Sequence, residues 1–173
     1  MRLFIAIPFE NGIKDGIVSA QEGLKRSGVT GNFTTRDNLH LTLAFIGETR
    51  DAKGALNALC SVDPPRMALR FSDPVLFRDI LTAGLVRNEE LEKYVTELRR
   101  ALDGAEVGYD RKPFRAHVTL VRRAVLPPDI DLAACLAPLR HVEIPVREIC
   151  LMKTDFINNR PRYTRIGAVR PKN

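Results

Sequence analysis

The sequence predicts a two-lobed domain in which strands and helices alternate, and three observations lead to this prediction. Apolar residues recur at helical spacing in two long segments and form short strand-like runs elsewhere. A pattern built around His-x-Thr occurs once in each half of the 173-residue chain. No Gly-Ser linker, low-complexity tract or block of like charge separates the halves. We therefore expect residues 1–173 to form a single domain with two lobes.

The N-terminal segment predicts a strand followed by a helix. Residues 3–7 are a short apolar run that Pro8 stops, as expected of a strand buried on both faces. From residue 10 to residue 26, apolar side chains recur every three or four positions, the last two residues are basic, and Gly28 follows. This pattern indicates an amphipathic helix that ends just before the glycine.

Further strands and helices are predicted in the middle of the chain. Residues 39–46 indicate a strong strand, and Asp51 is a suitable N-cap for a helix after it. Residues 66–71 and 75–86 are strand-like, and a Ser-Asp-Pro sequence at residues 72–74 separates them. This arrangement predicts short strands joined by a turn at the proline.

The second half of the chain repeats the alternation. A helix is predicted from its cap residue Asn88 to residue 104, because acidic residues open it and its apolar residues share one face. Residues 114–121 indicate the next strand, and a helix is expected after the two prolines at 127 and 128. The last strands are expected near residues 142–152 and 162–169.

The composition is that of a folded protein with an excess of positive charge. Hydrophobic residues make up 45% of the chain and charged residues 28%, unlike the composition of disordered proteins. There are 27 Lys and Arg against 21 Asp and Glu, a net charge of +6 that favours contact with polyanions. Charge alone does not identify a nucleic-acid-binding protein, so it only supports what the motifs indicate.

The cysteines and the N-terminal segment indicate the cellular compartment. Cys60, Cys135 and Cys150 are widely spaced and form no Cys-x-x-Cys pair, which predicts neither a disulfide framework nor a zinc site. No run of about 18 apolar residues occurs, and the N-terminal apolar run is too short for the core of a signal peptide. We expect a cytoplasmic protein that does not span a membrane.

Two of the three histidines lie in matching patterns, NLHLTL at residues 38–43 and RAHVTL at residues 115–120. Residues two apart on a strand share a face. His40 therefore points with Thr42, and His117 with Thr119, while the apolar residues between them point into a core. Each strand can thus present an imidazole and a hydroxyl, side by side, to a cleft.

Two facing His-Thr pairs suit the cleavage of a phosphodiester. One proton must leave the attacking oxygen, and another must reach the leaving oxygen on the opposite side of phosphorus. Because the ordinary pKa of histidine is about 6.5, one imidazole can act as base and the other as acid near neutral pH. The threonine hydroxyls can donate to the non-bridging oxygens without a metal ion.

Two other interpretations of the pattern are possible. A single His-x-Thr in an apolar strand is more often a packed or exposed histidine than a catalytic one, but two matched copies reverse this preference. Two histidines can also share a zinc ion, yet no carboxylate or cysteine stands at ligand spacing to complete a set of three. We therefore expect no metal ion and no cofactor.

Four segments together carry a resemblance to a known superfamily. They are RLFIAI at residues 2–7, NLHLTLAFIG at 38–47, PFRAHVTLVRR at 113–123 and PRYT at 161–164. In these segments the chain resembles the two-histidine phosphoesterases, specifically the RNA 2′,3′-cyclic phosphodiesterases, also called 2′-5′ RNA ligases. The resemblance implies a bilobal α+β fold in which two antiparallel sheets are related by a pseudo-twofold axis, with helices outside and the active cleft between the lobes.

The resemblance also implies roles for individual residues. His40 would be the proton donor to the leaving oxygen, and His117 the proton acceptor that activates water. Thr42 and Thr119 would bind the phosphate, and the product would be a 2′-phosphomonoester. The implied substrate is RNA or a nucleotide with a 2′,3′-cyclic phosphate, and we expect the protein to be a monomer.

The family pattern further implies a phosphate-binding arginine five residues after the second histidine, which is Arg122. Strict strand alternation places Arg122 with the core-facing Val118 and Leu120, whereas Arg123 shares the face of His117. Arg122 reaches the phosphate only if the strand ends or bulges after Leu120. Arg122 is thus favoured by the family and Arg123 by simple geometry.

The segments around the motifs depart from the family pattern. Phe33 lies in the region before the first motif where an aromatic residue, often Trp, is common, and Arg160 stands where glycine usually precedes the Pro-x-Tyr element. These differences affect how the nucleobase and the flanking chain are held. Phe45 has the parity of a core residue and is expected to pack rather than to stack a base, and His141 is expected to be structural or exposed.

The sequence favours hydrolysis of the 2′,3′-cyclic phosphate ends of RNA, and the resemblance allows reverse 2′-5′ ligation. A module that binds RNA ends or nucleotides without turnover is an alternative, which the presence of both histidines and both threonines disfavours. Another alternative keeps the chemistry but acts on a small cyclic nucleotide or on 2′-5′ oligoadenylate. Rates on these substrates discriminate between the enzyme alternatives.

Overall fold

A computed structural model describes residues 1–173 and shows two antiparallel sheets with four α-helices. The strands are β1 Arg2–Pro8, β2 Thr30–Phe33, β3 His40–Glu48, β4 Ala68–Phe77, β5 Ile80–Leu85, β6 His117–Val125, β7 Glu143–Pro145, β8 Ile149–Ile157 and β9 Arg160–Val169. The helices are α1 Asn11–Arg26, α2 Ala52–Cys60, α3 Glu89–Gly104 and α4 Leu132–Leu136. The predicted α+β class with two antiparallel sheets is confirmed.

The two sheets exchange strands between the halves of the chain. The first sheet has the strand order β3-β1-β8-β9, and the second has the order β2-β6-β5-β4-β7. β2 belongs to the N-terminal half yet pairs with β6 of the second sheet. β8 and β9 belong to the C-terminal half yet extend the first sheet. Each sheet is therefore built from both halves of the sequence.

One apolar core supports both sheets. A single cluster of 37 buried residues runs through the strands and helices. Leu41, which follows His40, and Val118, which follows His117, are both 0% exposed and belong to this cluster. Burial of one such side chain contributes about 1.5–3 kcal/mol. The apolar faces of both motif strands are thus anchored as predicted.

The predicted caps fix the starts of α2 and α3. The Asp51 side chain accepts a hydrogen bond from the Gly54 backbone N–H at 2.7 Å, and the Asn88 side chain accepts one from the Leu91 N–H at 2.9 Å. Each cap satisfies an N–H that has no partner within its helix, and caps of this kind contribute about 1 kcal/mol. None of the four helices has the length and apolar character required to cross a membrane.

The turn predicted at residues 72–74 is wrong. β4 runs through these residues, and the chain reverses instead at Arg78 and Asp79, where Arg78 has a φ of 55°. The pairing of β4 with β5 shifts between Phe71 and Pro74. The proline therefore lies at a bulge, where the sheet does not need its missing N–H.

Several other boundaries differ from those predicted. β6 begins at His117 rather than at residue 114, and the helix after the prolines is only five residues long. The single strand expected over residues 142–152 is divided between β7 in the second sheet and β8 in the first. β2 was not predicted, because its four residues, Thr-Gly-Asn-Phe, show no apolar alternation.

Candidate active site

The two His-Thr patterns lie where the two sheets meet, because β3 at the edge of the first sheet approaches β6 of the second. Each histidine is the first residue of its strand. The first six residues of both strands have the same pattern of burial. The His is half-buried, the next residue is buried, the Thr is half-buried, the following two residues are buried, and the sixth is exposed. The predicted alternation of the motifs, with His and Thr on one face, is therefore confirmed.

Both imidazoles are oriented by the same backbone hydrogen bond. Nδ1 of His40 lies 2.7 Å from the Asn38 carbonyl oxygen, and Nδ1 of His117 lies 2.7 Å from the Arg115 carbonyl oxygen. A carbonyl oxygen can only accept, so Nδ1 carries a proton and donates it. Nε2 of each ring is then the nitrogen that can exchange a proton, as acceptor in the neutral form and as donor in the cation, and in His40 it also contacts the Thr42 hydroxyl.

Aromatic rings hold His40 more closely than His117. The centroid of the His40 ring is 4.9 Å from that of Phe4 and 5.3 Å from that of Tyr163, which meets it edge-on at 87°. The ring of His117 has a single such neighbour, Phe77, at 5.7 Å. Tyr163 belongs to the Pro-x-Tyr element, so this C-terminal element reaches the first motif.

The threonines differ in their contacts with the histidines. Thr42 Oγ1 lies 2.9 Å from Nε2 of His40 and donates to it when the ring is neutral. Thr119 lies in the equivalent half-buried position on β6, opposite the buried Thr82 of β5. Both hydroxyls lie on the histidine faces of their strands, as predicted.

The surroundings of His40 favour its neutral form. Burial of the ring lowers the pKa of His40 to about 4. The charges of Arg122 and Lys14, and that of the His117 imidazolium when it forms, act in the same direction, whereas the hydrogen bond to the Asn38 carbonyl opposes the shift. These effects also show that residues of both motifs and of α1 converge on one site.

We expect His40 to titrate near pH 4 in the free protein and at higher pH when an anion is bound. Burial disfavours the imidazolium, whereas a phosphate beside the ring favours it. NMR titration of the ring protons with and without inorganic phosphate measures both midpoints, and a His40→Gln variant identifies the signal. A midpoint at the ordinary value of 6.5 in the free protein would contradict the effect of burial.

A β-bulge interrupts each motif strand at the same distance from its histidine. The unpaired residue is Leu43 in β3 and Leu120 in β6, and both it and its successor are buried. An inserted residue shifts the alternation by one, so the residue five positions after each histidine returns to the histidine face. These residues are Phe45 and Arg122.

The bulge places Arg122, rather than Arg123, on the side of the histidines. The charge of Arg122 acts on both His40 and Tyr163, whereas Arg123 is not among the charges that act on either. Arg123 instead has left-handed backbone, with a φ of 51°. Arg122 was expected to face the phosphate site only if the strand bulged after Leu120, and the structure has this bulge.

Gln21 and Gly31 support the bulge, and neither was predicted as a site residue. The buried Gln21 of α1 donates from Nε2 to the Leu120 carbonyl at 3.0 Å and to the Thr34 carbonyl at 2.9 Å. Gly31 has a φ of 143°, and a Cβ there would lie 2.8 Å from the carbonyl oxygens of Arg122 and Arg123. A polar helix residue and a glycine in a short strand carry no periodic signal, which is why the sequence analysis missed them.

The expectation that Phe45 packs in the core is wrong. Phe45 is 37% exposed, and the Arg2 guanidinium carbon lies 5.0 Å from its ring centroid. The bulge at Leu43 turns the side chain away from the core. Phe45 therefore occupies, in the first motif strand, the position that Arg122 occupies in the second.

Other residues singled out from the sequence lie at the margins. Phe33 is half-buried beneath the Lys25 ammonium, 4.9 Å from its ring centroid. Arg160 is exposed at the start of β9, and His141 is exposed, as expected, at the end of a 3₁₀ helix. None of the three contacts the motif histidines through a hydrogen bond or ring contact.

The potential metal ligands are dispersed. No group of three or more His, Cys, Asp or Glu side chains is placed to hold a metal ion. All three cysteines are free, with Cys60 exposed, Cys135 half-buried and Cys150 buried. Two imidazoles, two hydroxyls and a guanidinium are the polar groups that the motif strands offer to a ligand, and these groups suit an oxyanion such as phosphate.

The family profile described as LigT-like phosphoesterase matches the chain twice, over residues 7–87 and 84–163. Each match contains one His-Thr pattern, the first on β3 and the second on β6, in agreement with the similar burial patterns of these two strands. The fold and the paired patterns define an enzyme of phosphoester chemistry, a two-histidine phosphoesterase. More particularly, the chain belongs to the LigT-like phosphoesterase family.

Individual relatives match over all or part of the chain. The RNA 2′,3′-cyclic phosphodiesterase of Methanothermobacter thermautotrophicus is 27% identical over 186 residues, which cover 98% of each protein. The RNA 2′,3′-cyclic phosphodiesterase of Methanocaldococcus jannaschii is 36% identical over 73 residues, 41% of each. Both relatives are named for the same activity.

Solved structures share the fold. The apo crystal structure of E. coli LigT has a TM-score of 0.80 and 26% identity, over 99% of this chain and 98% of LigT. E. coli LigT complexed with 3′-AMP has a TM-score of 0.77 and 25% identity over the same shares. The protein TT0787 of Thermus thermophilus has a TM-score of 0.79 at 22% identity, over 98% of this chain and 97% of its own, and shows likeness of fold.

Proposed function

We propose that this phosphoesterase hydrolyses the 2′,3′-cyclic phosphate ends of RNA to 2′-phosphomonoesters by acid–base catalysis between His40 and His117. The observation that carries the proposal is the matched orientation of the two imidazoles, each with Nδ1 bound to a backbone carbonyl and Nε2 left for proton transfer. The names of the two Methanothermobacter and Methanocaldococcus relatives support the substrate. The complex of E. coli LigT with 3′-AMP supports a nucleotide at this site.

In the proposed reaction, water attacks phosphorus on the side opposite the 3′ oxygen. Nε2 of His117 accepts a proton from the water as the new P–O bond forms. The bond between phosphorus and the 3′ oxygen breaks, and Nε2 of His40 donates its proton to that oxygen. The product has a 2′-phosphate and a free 3′-hydroxyl, and one proton must pass from His117 back to His40, through solvent, before the next turnover.

Three side chains are suited to stabilise the charge on the non-bridging oxygens. Arg122 supplies a guanidinium beside His40, and the hydroxyls of Thr42 and Thr119 can donate from the histidine faces. The dispersed positions of potential metal ligands support a mechanism that needs no metal ion. We accordingly propose that these three side chains, rather than a metal ion, stabilise the negative charge of the transition state.

Protonation of His40 is coupled to substrate binding in this mechanism. With a pKa of about 4, His40 is neutral in the free protein near neutral pH and cannot donate a proton. The negative charge of the cyclic phosphate favours the imidazolium and raises the pKa. The substrate therefore brings the acid into its active form, and a proton enters the site together with the phosphate.

The experiment is an assay of the purified protein, treated with chelator, on an RNA oligonucleotide that ends in a 2′,3′-cyclic phosphate. We expect hydrolysis, with ³¹P NMR identifying the 2′-phosphomonoester. Adenosine 2′,3′-cyclic phosphate and 2′-5′ oligoadenylate serve as comparison substrates for the alternatives of small-molecule specificity. Binding of the oligonucleotide without product would identify a non-catalytic module, and activity restored only by added metal would overturn the metal-independent mechanism.

The same site can also support 2′-5′ ligation, in which an RNA hydroxyl takes the place of water. If the 5′-hydroxyl of a second RNA replaces water, Nε2 of His117 accepts its proton and His40 protonates the leaving 3′ oxygen, in the same sense as in hydrolysis, so that a 2′-5′ linkage and a free 3′-hydroxyl form from the 2′,3′-cyclic phosphate. We propose this ligation as a secondary activity, to be tested with a 5′-hydroxyl RNA in the same assay. That the protein is a cytoplasmic monomer stays a prediction.

A further inference from the structure

The tip of the β8–β9 hairpin carries exposed apolar side chains close to the site. Phe156 is 60% exposed and Ile157 is 48% exposed. Asn158 and Asn159 have φ values of 50° and 60° and connect the strands as a two-residue turn. Asparagine tolerates this conformation well, so the turn holds the tip in a defined shape.

Asn38 ties this hairpin to the first motif. Its side-chain Nδ2 donates to the Pro161 carbonyl at 2.9 Å, and its own carbonyl accepts from Nδ1 of His40 at 2.7 Å. Tyr163, two residues further along β9, meets the His40 ring edge-on. The hairpin therefore has a fixed position relative to His40, and both Asn38 and Tyr163 contribute to it.

Phe156 lies on the face of the hairpin that contains Tyr163. Thr154 pairs with Tyr163, and Phe156 pairs with Pro161, with no shift of register between them. The row formed by Phe156 and Pro161 is thus about 6.6 Å further along the hairpin than the row formed by Thr154 and Tyr163, at about 3.3 Å per residue. Ile157 has the opposite parity and lies on the other face.

A cation accompanies these aromatic rings on the same face. Arg2 pairs with Thr154 across β1 and β8, so it lies in the row of Tyr163. Its guanidinium also covers the ring of Phe45. Arginines interleaved with exposed aromatic rings form the type of surface with which many proteins bind single-stranded RNA. The bases stack on the rings, and the cations neutralise the phosphates.

We propose that Phe156 stacks the base that precedes the cyclic-phosphate nucleotide, so that the protein acts preferentially on RNA chains of two or more nucleotides. This inference rests on the proposed function, which places the terminal nucleotide between His40 and His117. A 2′,3′-cyclic phosphate ends the chain on its 3′ side, so the RNA leaves the site only in the 5′ direction. A chain that passes Tyr163 reaches Phe156 next.

The test compares adenosine 2′,3′-cyclic phosphate with the dinucleotide ApA that ends in a 2′,3′-cyclic phosphate. We expect Phe156→Ala to lower kcat/KM for the dinucleotide about tenfold or more, the loss typical of one stacked base, and to leave the mononucleotide unchanged. Phe156→Trp should retain the preference for the dinucleotide. Ile157→Ala is the matched control, because it removes another exposed apolar side chain of the same hairpin tip, on the opposite face, and should leave kcat/KM unchanged for both substrates.

A binding measurement separates this inference from the proposed function. The affinity of a 5′-labelled RNA with a cyclic end is measured by fluorescence anisotropy in a His40→Ala, His117→Ala background, which removes any turnover. Weaker binding by Phe156→Ala, with unchanged binding by Ile157→Ala, supports stacking. This conclusion holds even if the wild-type protein hydrolyses neither substrate, and in that case only the proposed function fails. Unchanged affinity in Phe156→Ala, or an equal loss of affinity in Phe156→Ala and Ile157→Ala, overturns the inference. So does an equal loss of kcat/KM for the mononucleotide and the dinucleotide in Phe156→Ala. Either result assigns the apolar tip to another partner.

Discussion

Replacement of either His40 or His117 by alanine is expected to lower kcat on a cyclic-phosphate RNA by about 10²- to 10⁴-fold. This is the range that one positioned acid or base contributes. Since the two imidazoles act in the same step, the double variant should lose little more than the more impaired single variant. The measurement is single-turnover hydrolysis, which separates the chemical step from product release.

His141→Ala provides the control for these variants. It is the third histidine of the chain and is exposed in the 3₁₀ helix Ala137–His141. It should keep full activity, and thermal unfolding should show that all the variants remain folded. Full activity of His40→Ala or His117→Ala would exclude the acid–base mechanism, whereas additive losses of activation free energy in the double variant would indicate that the two imidazoles contribute independently.

Replacement of Arg122 by alanine should have the next largest effect, a loss of about 10²–10³-fold in kcat. Loss of one group that stabilises transition-state charge has an effect of this size. Arg122→Lys should recover only part of the activity, because an ammonium does not reproduce the planar fork of a guanidinium. Hydrolysis rates at saturating substrate provide the measurement.

Arg123→Ala is the matched control for Arg122, since it removes the same charge one residue further along the same strand. Arg123 has left-handed backbone, and it is not among the charged groups that lower the pKa of His40. We expect Arg123→Ala to keep activity within a few-fold, because a surface charge away from the site contributes little. Equal losses for both variants would mean that net charge, rather than position, matters.

The elements with a strong periodic signal were predicted well. α1 and α3 have clear apolar faces and strong end signals, and the observed bounds differ from the predicted ones by at most a residue or two at each end. The His-x-Thr faces could be predicted because side chains alternate strictly over the first residues of a strand. This alternation placed His40 with Thr42 and His117 with Thr119, on the faces that the structure shows.

The parts that were missed depend on interactions between distant segments. Strict alternation gave the wrong face for Phe45 because β3 has a bulge at Leu43. Bulges depend on contacts with neighbouring segments, as the bulge of β6 depends on the Gln21 side chain and on the close approach of Gly31. Strand β2 has too little apolar pattern to be recognised alone and forms by pairing with β6. The contact of Tyr163 with His40 joins residues from opposite ends of the chain, which no local pattern can predict.

The exchange of strands between the sheets has a consequence during synthesis of the chain. His40 leaves the ribosome well before residues 149–169, and the first sheet acquires β8 and β9 only when those residues are made. Until then β1 lacks one neighbour, His40 lacks Tyr163, and the Asn38 side chain lacks the Pro161 carbonyl. A chain still being synthesised therefore lacks a complete site until residues 149–169 have joined the first sheet.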